Sequence, residues 1–424
     1  MKTIKLATMA LGTGALLLGF AVAPAAVASA TPASFVPCSS GAAGLVAAIT
    51  AANVAGGTIN LAPWCTYTLT APATTTPIPM IGGVAGLPAI TNQVTINGFG
   101  TTIARSSTVP FRIFEVDAPN GNLTLQGLTV TGGNSTNGGA IANLSVLTLN
   151  HTDVTGNTAG GGGGGIASAG TATLNFSQVN GNTALAGGMG GGGGGILNHG
   201  GTLALNFSQA NHNISQGGGG GIASGNGNGG TTPPPPSTLN LYFSQVIGNT
   251  SNGGPMAGAG GIANGGTATI SLSVVNNNSA PGATGGGILN HGTMTINLSQ
   301  VNNNTAPSDS ASPPDPGIGG GIGNIDFGVP TSGILTLNWT QVNNNTASGQ
   351  GGGIAEEGFG NGPAPVAGNT LAVNASLVTG NSATGGGGGI FAIAGSPVTV
   401  KFTFIFRNAP DNCEPLNTVP GCHN

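Results

Sequence analysis

The chain has 424 residues, of which only 4% are charged: six Lys and Arg stand against ten Asp and Glu, for a formal net charge of −4. Phosphate contacts need clustered Lys and Arg, so this balance excludes a nucleic-acid role and argues against an anionic membrane as partner. Glycine supplies 82 residues, yet Ile, Leu and Val recur in register, which separates the chain from disordered low-charge sequences.

Residues 1–30 read as a secretory signal. Lys2 and Lys5 precede an apolar run through Leu16, Leu17 and Leu18, and Ala28-Ser29-Ala30 forms a small-residue cleavage site. The mature chain is expected to begin near Thr31 and to be secreted or extracellular, with no further segment of membrane-spanning length. It keeps Arg105, Arg112, Lys401 and Arg407 as its strong cations.

Residues 31–120 are expected to form an N-terminal cap and the first coils. Residues 41–53 suit a helix with Leu45, Val46 and Ile49 on one face, stopped by Gly56-Gly57. Thr58-Ile59-Asn60-Leu61 and Tyr67-Thr68-Leu69 follow. This succession resembles the N-terminal cap of pectate-lyase-like β-helix proteins, and Thr95-Ile96-Asn97-Gly98 with Thr102-Ile103 is similar to their early coils. A cap is physically required, because the open end of such a coil exposes apolar core and unpaired backbone.

Residues 121–400 carry the repeat. The unit is G-G-G-I-x-N, a turn, then T-L-x-L-N-φ-S-Q-V-x-x-N-T, with φ apolar, and it reads most clearly through residues 286–305. The Ile returns at 141, 166, 196, 222, 262, 288, 322, 354 and 390, a spacing of roughly 25 to 40 residues that marks stacked units. Alternation such as Leu203, Leu205, Phe207 indicates strand, and poly-Gly between strands opposes helix. A lone unit buries too little apolar surface to offset its ordering, whereas stacked units share one apolar column.

Two Asn rows accompany the Ile. One holds Asn150, Asn175, Asn206, Asn297, Asn338 and Asn374, with Tyr242, Ser271 and Lys401 as departures; the other runs from Asn157 and Asn182 to Asn345 and Asn381. Stacked amides can form ladders, and Asn tolerates the left-handed backbone of a sharp corner, so both rows are expected to be the corners. Gly138-Gly139-Ala140-Ile141 resembles the G-G-A-I half-motif of chlamydial-type polymorphic outer-membrane proteins. That family's F-x-x-N half is not kept, since Phe176 to Asn180 has one residue too many, and no membrane barrel follows. Together the resemblances imply an all-β, single right-handed parallel β-helix with a short capping helix and a tendency to surface display.

Residues 401–424 form a C-terminal cap. Four Cys in an exported chain suggest disulfides. Of three possible pairings, Cys38 with Cys65 and Cys413 with Cys422 is preferred, because a column of coils holds its ends apart.

Chemistry is sparse. No Gly run carries the Asp of a calcium-roll repeat or a P-loop Lys, so neither calcium nor a nucleotide is expected, and no metal or other cofactor is assigned. Between residues 121 and 300 Asp153 is the single carboxylate and no Lys or Arg occurs, which excludes a lyase or hydrolase site on the central coils. His199 and His291 share I-L-N-H-G but lie three coils apart, about 14 Å, too far for one ion. Insertions lengthen the turns at 225–237, 251–259, 306–318, 324–333 and 356–368, and Asp309, Asp315, Asp326, Glu356 and Glu357 lie on or beside them. These are the candidate loop binding residues.

T-x-T rows such as Thr171/Thr173, Thr267/Thr269 and Thr293/Thr295 are similar to those of ice-binding β-helices but break at Ala204, Asn240 and Ala372. Phe176, Phe207, Phe243 and Trp339 share one repeat position, where core or corner packing is the expected role. The expected function is a secreted, non-catalytic surface protein that is structural, adhesive or glycan-contacting. The alternative is a divergent polysaccharide lyase or glycoside hydrolase using the loop carboxylates.

Overall fold

Each repeat lies directly over the next. In the computed structural model, which describes residues 33–77, 81–186, 192–225, 236–254, 258–309, 316–326, 333–358, 369–393 and 395–424, Ile166, Ile196, Ile222 and Ile262 pair as neighbours in parallel strands. One such wall runs from Phe114–Val116 to Cys413–Glu414 through eleven strands. A second, longer wall carries the five-residue strands, among them Thr171–Asn175, Thr202–Asn206 and Thr293–Asn297. A narrow third wall holds the Q-V-N strands such as Gln300–Asn302. Among the described residues every pairing of one strand with another is parallel, the one antiparallel contact being an isolated bridge from Phe111 to Asn134, so the chain is a parallel β-helix.

The alternation decides which side chains go inside. Leu203, Leu205, Met294, Ile296 and Val301 are fully buried, and the Ile column closes the same core from the opposite wall. The Gly runs are explained by closeness as well as by turning. A Cβ on Gly164 would sit 2.2 Å from the carbonyl oxygen of Gly194 in the next coil, and Gly163 adopts φ +67°.

The corners differ from expectation. The left-handed residues are not the ladder asparagines but their neighbours. At the first corner Phe176, Phe207, Phe243, Leu298 and Trp339 have φ between 46° and 53°, and at the second Gly181, His212, Asn277, Asn303 and Asn344 take the same conformation. The ladder amides stand one residue away with their side chains turned along the column. The inner ladder is continuous: each Nδ2 donates to the next Oδ1 from Asn157 through Asn182, Asn213, Asn249, Asn278, Asn304, Asn345 and Asn381 to Asn408, at 2.9 to 3.1 Å. The outer ladder joins Asn206, Asn175 and Asn150, breaks at Tyr242, and resumes from Asn297 to Asn374.

A helix, α1, at Gly41–Ala55 covers the N-terminal end with Leu45, Ile49 and Ala52 buried, and ends at Gly56 with φ +75°. Against expectation, the helical segment Cys38–Ala55 is long and apolar enough to cross a membrane by length and composition. Its place accounts for this composition, because it packs on the end of the core and Cys38 is bonded to Cys65. The buried Tyr67 hydroxyl donates to the Val36 carbonyl at 2.6 Å and accepts from the Ala62 amide, fixing the strand Ala33–Val36 to the first coil. At the other end Cys413 is bonded to Cys422.

Candidate functional site

The loop carboxylates are not brought together as one exposed set. Asp309 is half-buried against Gly282. Asp315 lies outside the described residues, and Asp326 ends the strand Ile322–Asp326. Glu356 and Glu357 are not on an exposed loop: they extend the strand Ile354–Gly358 and are buried. The reason is register, because the neighbouring strand also runs on, pairing Asn324 with Glu356 and Ile325 with Glu357.

Glu356 occupies the next place in a third amide ladder that the sequence did not reveal. Asn264 donates to Asn290, Asn290 to Asn324, and Asn324 Nδ2 to Glu356 Oε2, at 2.7 to 2.8 Å. The following coil offers Ala392 at that position, and Glu356 Oε1 is buried without a hydrogen-bond partner. Burial pushes the Glu356 carboxyl up to about 8, despite the Asn324 hydrogen bond that lowers it, and pushes Glu357 up to about 7. Adjacent strand positions point to opposite faces, so these two acids do not form a catalytic pair across one bond. Among the described residues no three His, Cys, Asp or Glu side chains are grouped to hold a metal.

A second cluster also escaped the sequence reading. Arg112 is fully buried and donates to the carbonyls of Gly82, Gly83 and Asn137, to Ser135 Oγ, and to Glu115 Oε2 at 3.5 Å. Burial lowers Arg112 to about 10. Burial, and then the neighbouring Asp117, raise Glu115 to about 7. The two terminal guanidinium nitrogens are bonded mainly to backbone carbonyls, while the buried Nε has no partner, so the cluster ties residues 82–83 to the wall. The i, i+3 and i, i+5 spacing of Glu115 and Asp117 from Arg112 is its signal in the sequence, and it lies outside the repeats.

The aromatic column is the most distinctive surface. The left-handed backbone turns its side chains outward, and Phe176 (55% exposed), Phe207, Phe243 and Tyr242 (44%) stand on the surface rather than in the core. His151, Phe176, Phe207 and Phe243 stack with ring centroids 5.1 to 5.2 Å apart and planes within 11°. Tyr242 stands perpendicular to Phe207 and Phe243, at 89° and 87°. Leu272, Leu298 and Trp339 continue the ridge.

Columns that are uncharged apart from Asp153 flank this ridge over these coils. On the long wall Thr171, Thr202, Thr238, Thr267 and Thr293 pair in unbroken register. The next column carries Thr173, Ala204, Asn240, Thr269 and Thr295, so two broken coils separate Thr171/Thr173 from the adjacent pairs Thr267/Thr269 and Thr293/Thr295. Beyond the corner lie Gln178, Gln209, Gln245, Gln300 and Gln341, after Asp153, whose carboxyl is raised by burial. His199 and His291 are in different coils, each with its amide bonded to the coil before. Burial lowers His291 to about 4, so it is neutral at physiological pH. An open depression of about 400 Å³, lined by Pro316, Ile318, Gln350 and Thr384 among others, has no titratable side chain.

No protein-family model matches the chain, and no curated protein matches it. The chain is similar to a solved structure, the crystal structure of pectate lyase Pel9A, at 13% identity over 89% of this chain and 79% of that one, with a TM-score of 0.35. The fold itself rests on the register of the stacked strands: the protein is a parallel β-helix.

Proposed function

We propose that the protein is an exported, non-catalytic β-helix scaffold that contacts an uncharged glycan along the aromatic ridge. The observation that carries this reading is the in-register stack of His151, Phe176, Phe207 and Phe243, beside Tyr242 and between hydroxyl and amide columns. Apolar ring edges next to neutral donors and acceptors suit the C–H and hydroxyl groups of a sugar chain. A surface nearly free of charge favours a neutral glycan over a polyuronate. Two disulfides support an oxidising compartment, and the resemblance of the G-G-A-I repeats to surface-displayed proteins supports the same placement.

The burial of Glu356 and Glu357 favours a scaffold over the polysaccharide-active alternative. The test is a glycan array with purified mature protein, followed by Phe207→Ser with Phe243→Ser. Saturable binding to neutral glycans that falls about tenfold or more in the double variant is expected. Binding unchanged by the variant would contradict the ridge. Turnover on a polysaccharide panel, abolished by Glu356→Gln or Glu357→Gln, would establish the enzyme instead.

A further inference from the structure

The repeat supplies its own control for what an outward position normally carries. Following the chain round the last coil, the outward positions are Lys401, Phe402, Phe404, Phe406 and Arg407. In the coil before, the corresponding positions are Asn374, Ala375, Leu377, Thr379 and Gly380. Two coils back they are Asn338, Trp339, Gln341, Asn343 and Asn344. From the coil of Gln245 onward, the columns of Phe404 and Phe406 hold no other aromatic side chain, and Lys401 and Arg407 are the only Lys or Arg in theirs.

These side chains do not serve the core. Phe402 is 91% exposed, Phe404 72% and Phe406 40%. The residues between them turn inward instead: Thr403 Oγ1 donates to the Val373 carbonyl at 3.0 Å, and Ile405 packs on the core. Lys401 and Arg407 are both exposed, with the Arg407 guanidinium 5.7 Å from the centre of the Phe406 ring. Of the other two strong cations, Arg112 is buried and Arg105 is bonded to backbone carbonyls. The two exposed cations of the described chain therefore flank its most exposed aromatic group. The tail carboxylate Asp411 is committed elsewhere, accepting from the Gly387 amide on the Gly-rich wall.

We propose that this arc, Lys401-Phe402-x-Phe404-x-Phe406-Arg407, is a contact site for an anionic lipid surface. Outward rings enter the boundary between headgroups and acyl chains while the flanking cations meet phosphates, which is how interfacial elements bind. The low total of cations, which argued against a membrane, is outweighed by local placement beside exposed Phe. A second copy of the chain is a poorer occupant, because a two-fold contact would set Lys401 and Arg407 against their equals.

The test is co-sedimentation of purified mature protein with phosphatidylcholine vesicles, with and without phosphatidylglycerol, at low and high salt. Binding to the phosphatidylglycerol vesicles, weakened by salt, is expected. The triple change Phe402→Ser, Phe404→Ser and Phe406→Ser should lower partitioning about tenfold or more. Lys401→Gln with Arg407→Gln should remove the preference for phosphatidylglycerol. Phe207→Ser with Phe243→Ser should leave vesicle binding intact, which separates this site from the glycan ridge. Unchanged thermal unfolding confirms that the variants fold. No sedimentation of the parent protein would overturn the proposal, as would sedimentation indifferent to the triple change. So would a light-scattering dimer that the triple change dissociates.

Discussion

Glu356 is a carboxylic acid held where the coils from Asn143 to Asn324 place Asn or Ser, and its pKa of about 8 lies well above the 4.5 of a free glutamate. Because the folded-state value is raised, the folded chain keeps a proton that the unfolded chain has lost between about pH 4.5 and 8, so stability falls as pH rises through that window. Glu357 and Glu115, each raised to about 7, act in the same direction. The melting temperature should therefore be higher near pH 5 than near pH 8.5. Glu356→Gln restores an amide to the ladder and should stabilise the fold at pH 8.5 by on the order of a few kcal/mol, with little effect at pH 5. Destabilisation at both pH values would show that the ladder does not accept an amide there. The sequence displayed the Glu356-Glu357 pair but not its burial, because the Gly-rich stretch that follows reads as a loop while the register with Asn324–Asp326 keeps it in a strand.

Coil corners divide labour between adjacent residues. Asn278 accepts from the amide and side chain of Asn249 and donates to the Val246 carbonyl and Asn304, all buried. Its neighbour Asn277 supplies only the left-handed turn, at φ 57°. Asn278→Ala should cost about 2 to 4 kcal/mol, since it leaves several buried groups unpaired, whereas Asn277→Gly should change stability by well under about 1 kcal/mol. Urea unfolding of both variants checks this, and equal effects would contradict the assignment. The two Asn rows were legible because identical side chains recur. Which residue turns left-handed was not, since period-two alternation places Phe207 inside and only the backbone conformation throws it out. The aromatic ridge was misjudged for the same reason.

Across the whole molecule the stacking of coils was the most legible property, because Ile and Leu recur at fixed places in each unit. The capping helix was legible from the apolar face of Leu45 and Ile49 and from the Gly56 stop. The surfaces were less so. Counting cations over the chain hid the grouping of Lys401 and Arg407 with three Phe, and reading the loop carboxylates as one group ignored that Asp309, Asp326 and the Glu356-Glu357 pair belong to three different coils. Outward-facing Thr positions now offer a ruler. Spin labels at Thr171 and Thr293 are separated by four coil steps, and labels at Thr171 and Thr370 by six. Dipolar distance measurement should give backbone separations of about 19 Å and about 29 Å, rising by one strand spacing per coil whatever the length of the intervening loops. Distances that follow the number of residues between the labels, rather than the number of coils, would contradict the stacked β-helix.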